Sequence, residues 1–456
     1  MNNGPVWRRS DLPASEPRLR LLNLPPSLLA CALLLATGAA MAQPAPASSG
    51  LEPTVIRAAR LLDVRSGKYI SPAAVYIEGE RIKAAGSAEG GLKQAPVGVR
   101  VVDLGTATLL PGLIDCHTHL MARIPPGSTG YDINLLTKSQ AYRALEGAAD
   151  ARLTLEAGFT SVRDVESEGS GYADVALRDA INDGLVPGPR MHVATRGIAA
   201  VGQYFPFDVR PDLSNFPTGA QMVSGVEEAR RAVREQIGHG ADLIKVYADW
   251  DYPTLTTEEL RVIVEEAHKA KRKVAAHATT TEGIRNALQA GVDSIEHGHR
   301  ADKADLELMK AKGTYLVPTM SGMDASLAAN PERWTSPTAQ AFLAAKKQSM
   351  ATAKQLGVKI ADGSDAESAK SHGRNARELE SMVRRGFTPL EAIQAATISA
   401  ADLIGTDDVG AAEPGRYTDL IAVQGDPLSD VTVLQVVAFV MKGGQIVKND
   451  LRPSPP

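Results

Sequence analysis

Two cysteines in 456 residues, Cys31 and Cys116, are too few for a disulfide framework and rule out a four-thiolate zinc site. Any metal must therefore be held by His, Asp or Glu. An excess of one charge is also missing: 49 Lys and Arg stand against 53 Asp and Glu, for a net charge of -4. So balanced a chain offers no general field to a polyanion, which argues against nucleic acid as a partner. Long apolar runs are absent as well. The best candidate, Leu28 to Ala40, falls short of the roughly 20 residues that span a bilayer, so no permanent membrane anchor is expected. What is present is 44% hydrophobic and 22% charged residues, the composition of a soluble globular protein with a sizeable core. At about 100–200 residues per domain the length allows two to four domains, although an α/β barrel takes about 250 residues as one unit.

The short apolar run has its own reading. Arg8, Arg9, Arg18 and Arg20 precede it and Ala40-Met41-Ala42 follows, the pattern of a secretory signal peptide cleaved after Ala42. The Pro/Ala/Ser stretch from Gln43 to Gly50 supplies an extended chain around that site. Residues 1–42 are thus expected to be removed, and the mature protein to be periplasmic or secreted. Leu28-Leu29-Ala30-Cys31 is similar to a lipobox, but apolar sequence continues past Cys31, which argues against lipidation. Arg8-Arg9 leaves a twin-arginine route open beside the general secretory one. After cleavage Cys116 stands alone, so no intrachain disulfide can form.

From Thr54 to Gly86 the chain alternates and turns in the manner of short antiparallel strands. The stretch from Asp419 to Asp450 repeats that style, with turns at Gly425-Asp426-Pro427 and Gly443-Gly444. The two ends are expected to share a small composite β-sandwich domain, residues 51–110 together with 412–450. Between them, residues 111–411 alternate apolar β-rich runs with amphipathic helical stretches, the signature of repeated β-α units and a parallel sheet. Eight runs, GLIDCHTHL, FTSVRDV, PRMHVAT, DLIKVYA, KVAAHAT, SIEHGH, TYLVPTM and VKIADGSD, predict an α/β protein built on a (β/α)8 TIM barrel.

Four of the nine histidines, with one lysine and one aspartate, fall at the C-terminal ends of these runs, where barrel active sites form. His117 and His119 are two apart, so on a strand they share a face and can chelate one metal. His277, His297 and Asp365 end the fifth, sixth and eighth runs and add nitrogen and oxygen ligands suited to zinc. Lys245 ends the fourth. Divalent cations repel an ammonium, so a lysine here makes physical sense if CO2 has converted its amine into an anionic bridging carbamate, an inference that needs a family to support it. Tyr247, two residues on, shares the face of Lys245.

These residues resemble the amidohydrolase superfamily, in the imidazolonepropionase-like branch that holds bacterial Xaa-Pro and related carboxydipeptidases and ochratoxin-degrading amidohydrolases. LPGLIDCHTHL, IKVYA, VAAHA, SIEHG and GSDA follow that family's order over nearly all of residues 54–447, and HGRNARELESMVRRGFTPLEAIQAATISAADLIG resembles the block after its eighth strand. The resemblance implies one metal on His117, His119 and Asp365 and a second on His277 and His297, with Lys245 as N6-carboxylysine between them. Two divalent ions, Zn2+ by ligand type, and CO2 or bicarbonate for the lysine are the cofactors so implied. Such a pair makes hydroxide available near neutral pH and polarises a carbonyl. Asp365 would then serve as general base and general acid, and Tyr247 would donate to the oxyanion. One stretch departs from the pattern: where many relatives carry Gly-Gly-His after the third strand, this chain reads GIAAVGQYFPFD, so that Tyr204, Phe205 and Phe207 would give the substrate pocket an aromatic lining.

The remaining histidines have mostly bland readings. His192, His239 and His268 are assigned to packing or surface, and Cys116 to a buried thiol facing away from His117. His299 faces either the site or a solvated loop. His372, near Arg374, is a candidate for holding a substrate carboxylate. The expected activity is hydrolysis of an amide next to a C-terminal amino acid, in dipeptides or N-acyl amino acids including ochratoxin-like compounds. A lactonase or deaminase on the same scaffold is the rival among enzymes, and a non-catalytic metal-binding homologue the rival outside them. The resemblance also carries an expectation of homo-oligomers.

Overall fold

The computed structural model describes residues 51–125, 130–203, 217–250 and 253–451. The expected signal segment, the lipobox-like stretch and the twin arginines lie outside them, as do Tyr204, Phe205 and Phe207. The fold is mixed α/β. Its terminal sequences form two sheets. A six-stranded sheet runs Gln445–Asn449, Val437–Lys442, Leu420–Val423, Thr108–Pro111, Arg60–Asp63 and Lys68–Ile70, so strands from both ends of the chain meet where Leu420–Val423 pairs antiparallel with Thr108–Pro111. The second sheet, Arg81–Ser87, Ala73–Glu78, Thr54–Ala58 and Arg100–Asp103, comes from the N-terminal side alone. Ile56, Val75 and Ile77 of this sheet pack on Leu109, Leu420 and Phe439 of the other. The composite character expected of this region thus belongs to one sheet of the two.

Parallel strands follow in chain order. Leu113–Thr118, Phe159–Asp164 and Arg190–Val193 form one array. Leu243–Tyr247, Lys273–Ala278, Ser294–His297 and Tyr315–Val317 form the core of another. These strands are almost wholly buried, as parallel strands covered on both faces must be. The connecting helices bury one stripe each. In Val226–Gly238 it is Ala229, Ala232, Val233 and Gln236, the spacing of a helix lying on a sheet. Thr256 and Asp302 close capping boxes with Glu259 and Asp305 at the starts of helices Thr257–Lys269 and Lys303–Lys312.

Two features differ from the pattern of eight plain runs. The short strands Ile198–Ala200 and Gln221–Val223 are inserted in the third connection and pair beside Leu243–Tyr247. The run VKIADGSD is not a continuous strand: it makes isolated parallel bridges, Leu316 with Ile360 and Thr118 with Ala366. Backbone bonds from Cys116 N to Asp362 O (2.8 Å) and from Asp365 N to His117 O (2.9 Å) still hold it against the first parallel strand. Gly363 is what allows so close an approach. A Cβ there would run into Val317 Cγ1 and come within 2.7 Å of His117 Cβ.

That contact yields a stability prediction. Gly363→Ala should lower stability by about 1–3 kcal/mol, the usual cost of overpacking. Gly238→Ala, at a helix end with nothing within 4 Å of the new Cβ, should be neutral or stabilising by up to about 1 kcal/mol. Denaturant midpoints of the two variants check this; equal midpoints would refute the steric account.

Candidate active site

The C-terminal ends of the parallel strands bring the expected residues together. His117 is the penultimate residue of the Leu113–Thr118 strand and His119 follows it. Tyr247 lies opposite His277, and Ala278 opposite His297, in the strand register. Ring centroids are 5.1 Å apart for His117 and His119, 5.0 Å for His117 and His297, and 4.6 Å for His277 and His297. Asp365 Oδ1 lies 3.4 Å from His117 Nε2 and 3.3 Å from His119 Nε2. All six expected metal positions, with Tyr247, Trp250, His299 and Glu367, line one cavity of about 300 Å3.

The imidazoles are oriented from behind. His117 Nδ1 is 2.7 Å from Glu296 Oε2, and the other oxygen of Glu296 accepts from Arg163 Nη2 at 2.8 Å. Arg163 in turn donates to Cys116 O at 2.6 Å and to Ser294 Oγ at 2.9 Å. Burial works to raise the Glu296 carboxyl, but Arg163 and His117 override it and hold its pKa at about 2. Glu296 is therefore charged and accepts a hydrogen bond from the Nδ1–H of His117, which leaves the Nε2 lone pair facing the cavity. That buried atom has no hydrogen-bond partner among the described residues. His119 is arranged likewise, its Nδ1 lying 2.8 Å from Glu168 Oε1. Behind the backbone of His117 stands Asp115, which accepts from His117 N and Ser364 N at 3.0 Å each and from Asn375 Nδ2 at 2.8 Å. It ties the first strand to the Asp365 loop.

Burial, then the Lys245 charge, pushes the His117 pKa down to about 4. His277 and His297 are lowered too, burial again leading. For His119 burial is outweighed by Glu168 and Asp365, so its imidazole is raised. The neutral imidazoles of His117, His277 and His297, the Asp365 carboxylate and the orphaned Nε2 of His117 form a donor set that fits a divalent cation, to which His119 would add its nitrogen on giving up its proton. His117, His119 and Asp365 bring three such atoms within 4.8 Å of one another. Lys245 is 1% exposed. Among the described residues its Nζ makes no hydrogen bond or ion pair, and the Tyr247 ring lies 5.3 Å from it.

The backbone is bent to make this cluster. His297 (φ 70°), Asp365 (φ 56°), Thr319 (φ 47°) and Glu168 (φ 52°) all adopt left-handed conformations, each costing roughly 1–3 kcal/mol, which the surroundings must offset. At His297 this breaks the two-residue alternation, so Glu296 and His297 reach the same interior although they are adjacent. Glu296, Arg163 and Glu168 were therefore invisible to strand periodicity; the acid beside the histidine in SIEHG was the one available signal. Trp250, stacked on His277 at 4.6 Å, carried no sequence signal.

Tyr247 lines the cavity and its hydroxyl is hydrogen-bonded to Glu166. Burial and the neighbouring Glu168 push Glu166 up to about 8, although the phenol, as the donor of that bond, acts to hold it down. His372 lies away from the cavity. It is buried, with Nε2 2.7 Å from Ala122 O and 3.6 Å from Asp150 Oδ2, and it supports the loop after His119 in place of the expected carboxylate contact. His299 does line the cavity. His268 pairs with Asp293 at 2.8 Å, His239 stacks on Tyr172 at 3.9 Å, and Cys116 is buried against Ala400 O.

The chain is similar to known hydrolases. The ochratoxinase of Aspergillus niger is 35% identical over 379 residues, 75% of each chain. A Xaa-Pro dipeptidase structure with methionine in its active site matches with a TM-score of 0.77 and 32% identity, covering 86% of this chain and 99% of that one. A prolidase complexed with N-methylphosphonate-L-proline matches with a TM-score of 0.76 and 31% identity, covering 87% and 100%. The amidohydrolase family model spans residues 108–447, from the first strand that joins the two ends of the chain through the whole histidine cluster, and the chain belongs to the amidohydrolase family.

Proposed function

We propose that the protein is a binuclear metal-dependent amidohydrolase that cleaves an amide bond next to a C-terminal amino acid, in dipeptides or N-acyl amino acids. The observation that carries this reading is the buried cluster in which His117 turns an unshared nitrogen into one small cavity with Asp365, His119, His277, His297 and Lys245. The substrate class is supported by the relatives named ochratoxinase, Xaa-Pro dipeptidase and prolidase. We read the parallel strands as a closed (β/α)8 barrel, supported by the bond from Asp242 N to Val193 O (2.8 Å) between the third and fourth runs and by the bridges on either side of the eighth. The first 42 residues fit an export signal, and the mature protein a periplasmic or secreted one.

His117, His119 and Asp365 would hold one cation, His277 and His297 a second, with Lys245 as its carbamate between them. Zinc suits such nitrogen and oxygen donors. When bound, two divalent cations supply hydroxide near neutral pH and polarise the scissile carbonyl. The chain's own groups do the rest. Asp365 stays ionised because His117 and His119 outweigh its burial, so it can accept the proton of the nucleophile and deliver it to the leaving nitrogen. Tyr247, whose hydroxyl donates to Glu166, would turn that hydrogen to the oxygen that gains charge. Trp250 covers His277 and limits the approach of water from that side.

A panel of dipeptides, N-acyl amino acids (N-acyl phenylalanines included) and lactones, with both products identified by mass spectrometry, tests the reaction class. Amide cleavage releasing a free amino acid is expected; turnover of lactones alone would overturn it. Metal analysis of protein purified without chelator should find two equivalents, and Lys245→Ala should lose one of them together with activity. Fewer than one equivalent, with no activity after zinc and bicarbonate are added, would favour a non-catalytic homologue. Glu296→Gln should weaken metal affinity about 10–100-fold, the usual effect of removing the group that orients a ligating histidine. Direct metal titration measures this.

A further inference from the structure

We propose that His299, positioned by the buried Lys346, is the residue of the cavity that recognises the free carboxylate of the substrate. The inference rests on the reading of the site as an amidase for acylated amino acids and adds how such a substrate is told from its neutral analogues.

Lys346 is 1% exposed, on the helix Pro337–Leu356, well outside the metal cluster. Its Nζ donates to Pro318 O at 2.5 Å and lies 2.8 Å from His299 Nδ1. The carbonyl can only accept, and an amine that spends one hydrogen there has another for the ring nitrogen. With Nδ1 accepting, the imidazole carries its hydrogen on Nε2, so His299 is set as a donor. Among the described residues Nε2 has no hydrogen-bond partner, and His299 lines the cavity. The same helix fixes the loop a second time through Ser349 Oγ, which donates to Gly298 O at 3.2 Å. Glu378, the nearby carboxylate acting on Lys346, is engaged elsewhere, accepting from Met320 N and Ser321 N at 2.8 and 2.6 Å. The amine, which burial lowers to about 7, makes no ion pair among the described residues, and an anion at Nε2 gains a hydrogen bond while drawing the amine behind the ring toward its charged form.

Position fits the substrate. The His299 ring is 5.5 Å from that of His297, one layer out from the cluster. In an N-acyl amino acid the carboxylate sits one α-carbon beyond the scissile nitrogen, a matching step outward. Phe342 meets His299 edge-on at 4.9 Å and adds an apolar surface for the side chain of the same amino acid.

The test is the binding of the leaving amino acid, L-phenylalanine, against L-phenylalaninol, which lacks the carboxylate, measured by calorimetry on the metal-containing protein. His299→Leu and Lys346→Met should each weaken L-phenylalanine about 10–100-fold, the effect of losing a hydrogen bond to a charged group, and bring the acid-to-alcohol affinity ratio toward one. His299→Gln, which keeps an N–H donor, should recover most of the ratio. Lys347→Met, on the exposed side of the helix, should keep it. With N-acetyl-L-phenylalanine as substrate the loss should appear in KM more than in kcat. An unchanged ratio in a folded His299→Leu variant, or no preference for the acid in the parent protein, would overturn the proposal. If the parent prefers the acid through His299 but hydrolyses no N-acyl amino acid, the amidase reading fails and this one stands; hydrolysis with an unchanged ratio means the reverse.

Discussion

Glu296 accepts from Arg163 on one oxygen and faces His117 with the other, and the chemistry available at the strand ends depends on that buried carboxylate keeping its charge. A carboxylate with no exposure is costly unless it is paired and hydrogen-bonded. Arg163 meets the cost by reaching from its own strand to two others, to Cys116 O on one and to Ser294 Oγ and Glu296 on the second. The ion pair is therefore a brace of the sheet as well as an electrostatic device. It fixes which nitrogen of His117 bears hydrogen, and so which nitrogen can bind a cation. Without it the imidazole could turn either nitrogen inward, and the short distance to Asp365 would lose its meaning.

The same economy governs the backbone. Parallel strands place neighbouring side chains on opposite faces, which limits how many ligands one strand end can offer. The left-handed residues Glu168, His297, Thr319 and Asp365 lift that limit by turning the chain at the rim. The strain is held by specific bonds. Asp365 N donates to His117 O, Gly298 N donates to Ala278 O, and Glu378 takes the amides of Met320 and Ser321 that follow Thr319. These bonds at the turned residues are what lets a cluster of like groups keep its arrangement without collapsing onto itself.

This division explains what could be read from the amino-acid sequence. His117, His119, Lys245, His277, His297 and Asp365 were legible because each ends an apolar run, and strand ends are where a barrel gathers its chemistry. The helices were legible from their apolar stripes and caps. Glu296 was not, since regular alternation puts it on the face opposite His297, and only the turned backbone at that residue reverses this. Lys346 was not, because it meets His299 from a helix 47 positions away. The inserted strands Ile198–Ala200 and Gln221–Val223 have three residues each, too few for a period to register. His372 was misjudged because a histidine near a site loop looks the same whether it faces ligand or, as here, the carbonyl of Ala122.

Lys245 remains the group least explained by protein contacts alone. It is buried, unpaired among the described residues, and its positive charge acts to lower His117, His277 and His297. As an ammonium it would oppose any cation held by those same imidazoles, at a distance where Coulomb forces in a poorly solvated cavity are strong. Conversion to the proposed carbamate would reverse the sign of each of these interactions at once: a charge that repels a cation would become one that attracts it, and two oxygens would replace one nitrogen as donors. The order of events follows from the same electrostatics. A neutral amine is needed to react with CO2, and the carbamate, once formed in such a cavity, is stabilised only when cations neutralise it. Loading of metal and modification of Lys245 should therefore be coupled equilibria, each driving the other, with neither complete alone.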